Sequence, residues 1–190
     1  MLRLFTILTA SVLFPFVACG PKATVVMLKD GFASSGSVGW LEFEDIGNQI
    51  HLYGQINGLS AGKHGIHIHT LGDISGGCAT LGDISGGCAS VGAHFNKDPT
   101  NKSHGGPQSA DRHVGDLGNI EAGSDGVAMV DIYDNMISFS GPNSIMARGL
   151  VIHASEDDLG LGGQSDSLTT GHAGARFACG VIAIGNTTNP

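Results

Sequence analysis

Apolar and polar residues alternate along most of the chain, in short runs broken by glycine, asparagine and aspartate. Successive side chains of a strand point to opposite faces, so this alternation predicts half-buried strands. The runs fall at 23–29, 37–44, 49–56, 65–70, 119–122, 127–133, 137–140, 149–154 and 178–184. Ser124-Asp125-Gly126, between two of them, predicts a hairpin. Short strands at regular spacing, with no convincing helix, predict an all-β domain of about eight strands, a sandwich or barrel. Two stretches, 71–118 and 155–175, lack the period. Connections that long inside a compact domain are usually functional.

The start of the chain follows another pattern. Met1-Leu2-Arg3 precedes a nearly unbroken apolar run over 4–17, then the small residues Ala18, Cys19 and Gly20. This predicts a secretory signal peptide over 1–20, ahead of a single domain over 21–190. The run is too short and wrongly flanked for a stable membrane span. Secretion makes Asn101 (Asn-Lys-Ser) and Asn186 (Asn-Thr-Thr) candidates for glycosylation. A net charge of −8 argues against a nucleic-acid partner. Thr70–Ala79 and Thr80–Ala89 both read TLGDISGGCA. One tandem copy is not a solenoid; it reads as a local duplication, tolerable in a loop because closure entropy grows slowly with length.

The candidate chemistry is carried by histidine. In Gly65-Ile66-His67-Ile68-His69 the two imidazoles share one strand face while the isoleucines take the other. His94, His104, His113 and Asp116 lie in or beside the first long loop, and three imidazoles with one carboxylate make a full tetrahedral set for a closed zinc site. His153 ends the strand Leu150-Val151-Ile152-His153 and shares the orientation of His67 and His69. A neutral imidazole cluster of this kind suits copper or another late transition metal. The other histidines are assigned no metal: His64 bonds to backbone, His51 is exposed on its strand and His172 lies on the second loop.

Several ordered motifs resemble copper/zinc superoxide dismutase: Gly65–His69, Gly92-Ala93-His94-Phe95-Asn96, His104-Gly105-Gly106-Pro107, Arg112-His113-Val114-Gly115-Asp116-Leu117-Gly118-Asn119, Val151-Ile152-His153, Asp157-Asp158-Leu159-Gly160 and Gly174-Ala175-Arg176-Phe177-Ala178-Cys179-Gly180. The resemblance spans about Ala23 to Ile184 and is nearest the secreted, eukaryotic type. It implies a flattened eight-stranded Greek-key barrel with two long functional loops. It implies copper on His67, His69, His94 and His153, and zinc on His94, His104, His113 and Asp116, with His94 bridging the two metals as an imidazolate. Arg176 would dock the anionic substrate, and Asp157 would link a copper histidine to a zinc histidine. The implied reaction is disproportionation of superoxide to oxygen and hydrogen peroxide by alternating Cu(II) and Cu(I), with His94 passing a proton and zinc structural, as antioxidant defence outside the cell. The family's disulfide implies Cys88–Cys179, with Cys78–Cys179 as the alternative, since the duplication supplies two cysteines. The family also implies a homodimer, against which the duplicated loop stands, because that loop contributes to the dimer contact. Where the family often carries two acids and a lysine that guide superoxide, this chain has Ser165, Asp166 and Thr169. A non-catalytic copper- and zinc-binding module is the competing reading.

Overall fold

The computed structural model describes residues 20–75, 86–97 and 103–186. The expected signal peptide up to residue 19, Cys78 and Asn101 lie outside the described residues. Among the described residues nine strands form: β1 (Lys22–Lys29), β2 (Ser37–Asp45), β3 (Ile50–Ile56), β4 (Gly62–His69), β5 (Asp116–Ala122), β6 (Ala128–Asp134), β7 (Gly149–His153), β8 (Arg176–Val181) and β9 (Ala183–Ile184). They lie in the order β2-β3-β6-β5-β4-β7-β8-β1-β9, and β1 also pairs β2. The antiparallel sheet therefore closes on itself, with β9 as an extra edge strand. Closure leaves few unpaired strand edges. β3 lies beside β6 and β4 beside β7, the crossovers of a Greek key.

The period-two pattern explains both faces of the site wall. Ile66 opposes Ile152, and Ile68 opposes Leu150; all four are fully buried inside the barrel beside Phe43, Leu52 and Ile182. His67 opposes Val151, and Val151 opposes Cys179, on the outer face. There Val151 and Cys179 join Cys88 and Val91 in a small second core. Cys88 and Cys179 are disulfide-bonded across a separation of 91 residues, which fastens the first long loop to β8. The two long connections fold over this outer face, so histidines that point away from the barrel core are nonetheless buried.

Two expectations change. Ile137–Ser140 makes no strand; only an isolated bridge joins Ser138 to Ser144. The cause is Asp134, whose Oδ1 accepts the amides of Met136 (2.7 Å) and Ile137 (2.9 Å) and turns the chain before it can pair. The second long loop, expected to lack helix, contains a single helical turn, α1 (Ser167–Thr170), closed by Gly171 in the left-handed region.

Arg112 is the largest of the fully buried side chains. Its guanidinium donates to Asp134 Oδ2 and, at 2.7 Å, to the Asp116 carbonyl. The pair thus pins the first long loop to the end of β6. Removing one partner of a buried ion pair strands the other. Arg112→Ala is expected to lower unfolding free energy by about 3–5 kcal/mol, read from the urea midpoint; a loss below about 1 kcal/mol, the range of an exposed pair, would contradict this role.

Candidate metal centre

Two strands and the first long loop bring the histidines together. β4 carries His67 and His69, β7 ends at His153, and His94 forms an isolated bridge with His69. The chain reaches that bridge because Phe95 donates to the Ile68 carbonyl at 2.7 Å and Thr70 to the Ala93 carbonyl at 2.9 Å. Among the described residues two groups gather donor atoms within 4.8 Å of one another: His67, His69, His94 and His153, and His67, His94, His104 and Asp116. All are buried, none more than 6% exposed. His113 borders the second group through Asp116, with Nδ1 3.2 Å from Oδ2 and 3.3 Å from Oδ1.

His67, His69, His94 and His153 each have one engaged nitrogen, and His104 meets a carboxylate with both. His69 Nδ1 donates to the Gly92 carbonyl (2.8 Å), and His153 Nδ1 to the Gly174 carbonyl (3.1 Å). His67 Nε2 and His104 Nε2 meet the two oxygens of Asp157 at 2.9 and 2.8 Å. His94 Nδ1 lies 2.9 Å from Asp116 Oδ1, and His104 Nδ1 3.1 Å from the same oxygen. The opposite nitrogens, His67 Nδ1, His69 Nε2, His94 Nε2 and His153 Nε2, are buried without a hydrogen-bond partner. Buried polar atoms are normally satisfied. Four unsatisfied ring nitrogens converging on one another fit a metal ion that prefers imidazole. His94 presents Nε2 to this group and Nδ1 to Asp116, one nitrogen to each side.

The electrostatics agree. Burial pushes His67 and His69 well below the usual imidazole range, and His94 below it. Burial likewise lowers His153 to about 4. Neutral rings are the form that ligates metals. Burial alone would depress His104 too, but Asp116 and Asp157 outweigh it and raise that ring to about 9. Burial would raise Asp116, but its contacts with His104, His113 and His94 hold it far below the usual carboxylate range.

Arg176, at the start of β8, is half-buried at the rim. Nη1 donates to the carbonyls of Cys88 (2.6 Å) and Ala89 (3.1 Å), and Nη2 to that of Gly92 (2.6 Å). Its charge reaches His69 and His153, adding to the burial that lowers both. The remaining histidines stand apart. His64 sits with Nδ1 2.9 Å from the His153 carbonyl and Nε2 2.9 Å from the Ser60 carbonyl. His51 stacks on Tyr133 at 4.2 Å, and His172 meets Asp166 at 2.7 Å on the surface.

Two supports escaped the sequence reading. Asn119 and Asp157 exchange hydrogen bonds, Asn119 Nδ2 to the Asp157 carbonyl and the Asp157 amide to Asn119 Oδ1, both 2.8 Å. Arg148 stacks over Phe95 at 3.5 Å and donates to the Thr70 carbonyl at 2.7 Å. Thr70 and Phe95 directly follow His69 and His94, so Arg148 clamps the two ligand-bearing segments together. A cation over an aromatic face carries no local sequence signature.

A family model described as copper/zinc superoxide dismutase matches residues 36–182. The extracellular Cu-Zn superoxide dismutase of Brugia pahangi is 48% identical over 149 residues, 77% of this chain and 69% of that protein. Among solved structures, that of the clock protein EA4 superposes with a TM-score of 0.74 at 37% identity, covering 91% of this chain and 99% of the other. With the closed antiparallel barrel, the histidine clusters and these matches, the chain belongs to the copper/zinc superoxide dismutase family, whose cofactors are copper and zinc.

Proposed function

We propose that this chain disproportionates superoxide outside the cell, with copper held by His67, His69, His94 and His153 and zinc by His94, His104, His113 and Asp116. The observation that carries the reading is the convergence of four unpartnered ring nitrogens within reach of the Arg176 charge. Copper in that set would supply one-electron oxidation of one superoxide and one-electron reduction of the next, while zinc, without redox chemistry, would order the loop.

The protein's own part follows from its charges and hydrogen bonds. Arg176 attracts the anion, and its three carbonyl contacts hold the guanidinium at the rim without neutralising it. Charge in a restricted site is screened less than in bulk water. When not held by copper, His94 Nε2, engaged by no hydrogen bond, would carry a proton for the peroxide product. Asp157 keeps His67 and His104 turned so that each offers Nδ1. The same reading includes removal of residues 1–20 as a secretory signal, glycan acceptance at Asn101 and Asn186, and pairing of two chains.

Four outcomes test it. The metal-loaded protein should remove superoxide far faster than buffer, and withdrawal of copper should abolish the effect; a protein that keeps both metals without turnover would instead be the non-catalytic module. Arg176→Ala should slow turnover by about tenfold or more with metal content unchanged, and an unaltered rate would remove the docking role. Asp157→Ala should weaken metal retention by about 10–100-fold in chelator competition, whereas unchanged retention would show that the rings need no such link. At the surface, Ser165 and Thr169 carry no charge and Asp166 is hydrogen-bonded to His172, so the segment around α1 offers no lysine to guide the anion. Turnover should accordingly fall only slightly with added salt, and a steep fall would point to guidance by other charges.

A further inference from the structure

Arg148 stands half-buried just before β7, and the turn that delivers it is strained. Ala147 has a φ of +58°, a left-handed conformation that residues with a Cβ rarely adopt. Such a conformation persists only where its surroundings over-determine it. Here the Ala147 amide donates to the Ile182 carbonyl (2.9 Å), the Ile182 amide to the Arg148 carbonyl (2.9 Å), and the Arg148 amide to the Ile145 carbonyl (3.2 Å). From the other side Gly72 lies so close that a Cβ on it would come within 2.2 Å of the Ala147 oxygen. The turn is thus held between the junction of β8 and β9 and the start of the first long loop, and its strain accompanies the placing of one side chain.

That side chain grips backbone next to two metal-site histidines. Nε donates to the Ser144 carbonyl (2.8 Å), Nη1 to the Thr70 carbonyl (2.7 Å), and the guanidinium carbon lies 3.5 Å from the centre of the Phe95 ring. No carboxylate is among these partners. The Thr70 carbonyl and the Leu71 amide belong to one peptide unit, directly after His69. Its carbonyl accepts from Arg148 and its amide donates to the Val91 carbonyl at 2.9 Å, so the peptide plane is fixed at both ends. Phe95 directly follows His94, is 3% exposed, and donates its amide to the Ile68 carbonyl at 2.7 Å. One side chain therefore holds the residues that follow His69 and His94. The backbones of those two histidines form the isolated bridge, and their ring centres lie 4.9 Å apart. The segments carrying His104, His113 and Asp116 have separate anchors: the His104 amide donates to the Leu168 carbonyl (2.9 Å), and Arg112 donates to the Asp116 carbonyl (2.7 Å).

We infer that Arg148 is a positioning residue for the copper set: it fixes the separation and tilt of His69 and His94 and leaves the zinc set to other anchors. The inference rests on the copper ligands proposed for this chain. Arginine suits the task because its planar fork aims donors in fixed directions while its face covers a ring. Lysine could place a cation over Phe95 or reach one carbonyl, but as a point charge on a flexible stem it cannot do all three together. Ligand-orienting contacts of this kind act on metal affinity and on the geometry the ligands impose, beyond any effect on the fold.

The test compares the unsubstituted protein with Arg148→Ala and Arg148→Lys, each loaded with copper and with cobalt in place of zinc. The Cu(II) electron paramagnetic resonance spectrum reads one set of ligands and the visible bands of cobalt read the other. Hydrogen exchange in the metal-free protein reads the Thr70 and Phe95 amides. In Arg148→Ala the copper hyperfine splitting should shift, a chelator should take copper about tenfold more readily, and both amides should exchange about tenfold faster or more, while the cobalt bands and zinc retention stay as they were. Arg148→Lys should restore these properties in part. An unchanged copper spectrum with unchanged copper retention in Arg148→Ala would overturn the inference. So would equal changes at both metals, the result of a general loosening of the fold. If the unsubstituted protein itself took no copper into the four-histidine set, the ligand assignment would fail, and the copper role of Arg148 with it; the exchange of the two amides would still show whether the arginine holds these segments.

Discussion

A single buried carboxylate sets the geometry of this site. Asp157 is 1% exposed and stands between His67 on β4 and His104 in the first long loop. It belongs itself to the second long loop. A buried carboxylate without partners is costly, so neither imidazole can leave it cheaply. Three segments distant in sequence are thereby bound into one unit. Asn119 and the Leu159 amide complete its shell. Because Asp157 occupies Nε2 of both rings, each is left with Nδ1 toward the centre. His69 and His153 are bound the other way, through Nδ1 to backbone carbonyls, and present Nε2. Which nitrogen each ring offers is therefore decided by its other hydrogen bond.

The barrel and the loops divide the remaining work. β4 and β7 are stiffened by Ile66, Ile68, Leu150 and Ile152 on their inner face, which fixes three imidazoles on the outer face. The loops then exclude water from that face, and burial holds these rings neutral. A cluster of neutral rings with unpartnered nitrogens is poor for stability without a metal and good for binding one. Asp116 adds negative charge on one side and Arg176 positive charge on the other, so the site is polar along its length.

Much of this was legible from local pattern. Period-two alternation located β1 to β4 and showed that His67 and His69 share a face. Ordered motifs pointed to His94, His104, His113, Asp116, His153, Asp157 and Arg176, whose spacing in sequence says nothing of their distance in space. What alternation could not show was burial of the outer face, because that depends on where two aperiodic loops settle. Ile137–Ser140 looks like a strand, yet Asp134 competes for its amides, a side-chain effect no period reveals. Nothing local in sequence marks Arg112 or Arg148 for packing inside the molecule. The burial of Arg112 against Asp134 and the packing of half-buried Arg148 over Phe95 are products of long-range contact.

The duplication is compatible with an intact site because of where the loop is anchored. Thr70 and Leu71 are tied to Ala93 and Val91 immediately after β4, and Arg148 holds Thr70 from the other side. Gly92 is held by His69 and Arg176, and His94 bridges His69. The separation of His69 and His94 is thus set by hydrogen bonds that lie outside the interval 72–90. Additional chain within that interval changes the length of the path between the anchors and leaves the anchors where they are. The entropic cost of such an insertion is small, and it falls on the loop rather than on the imidazoles. A ten-residue duplication at this point therefore adds a second cysteine without moving a ligand.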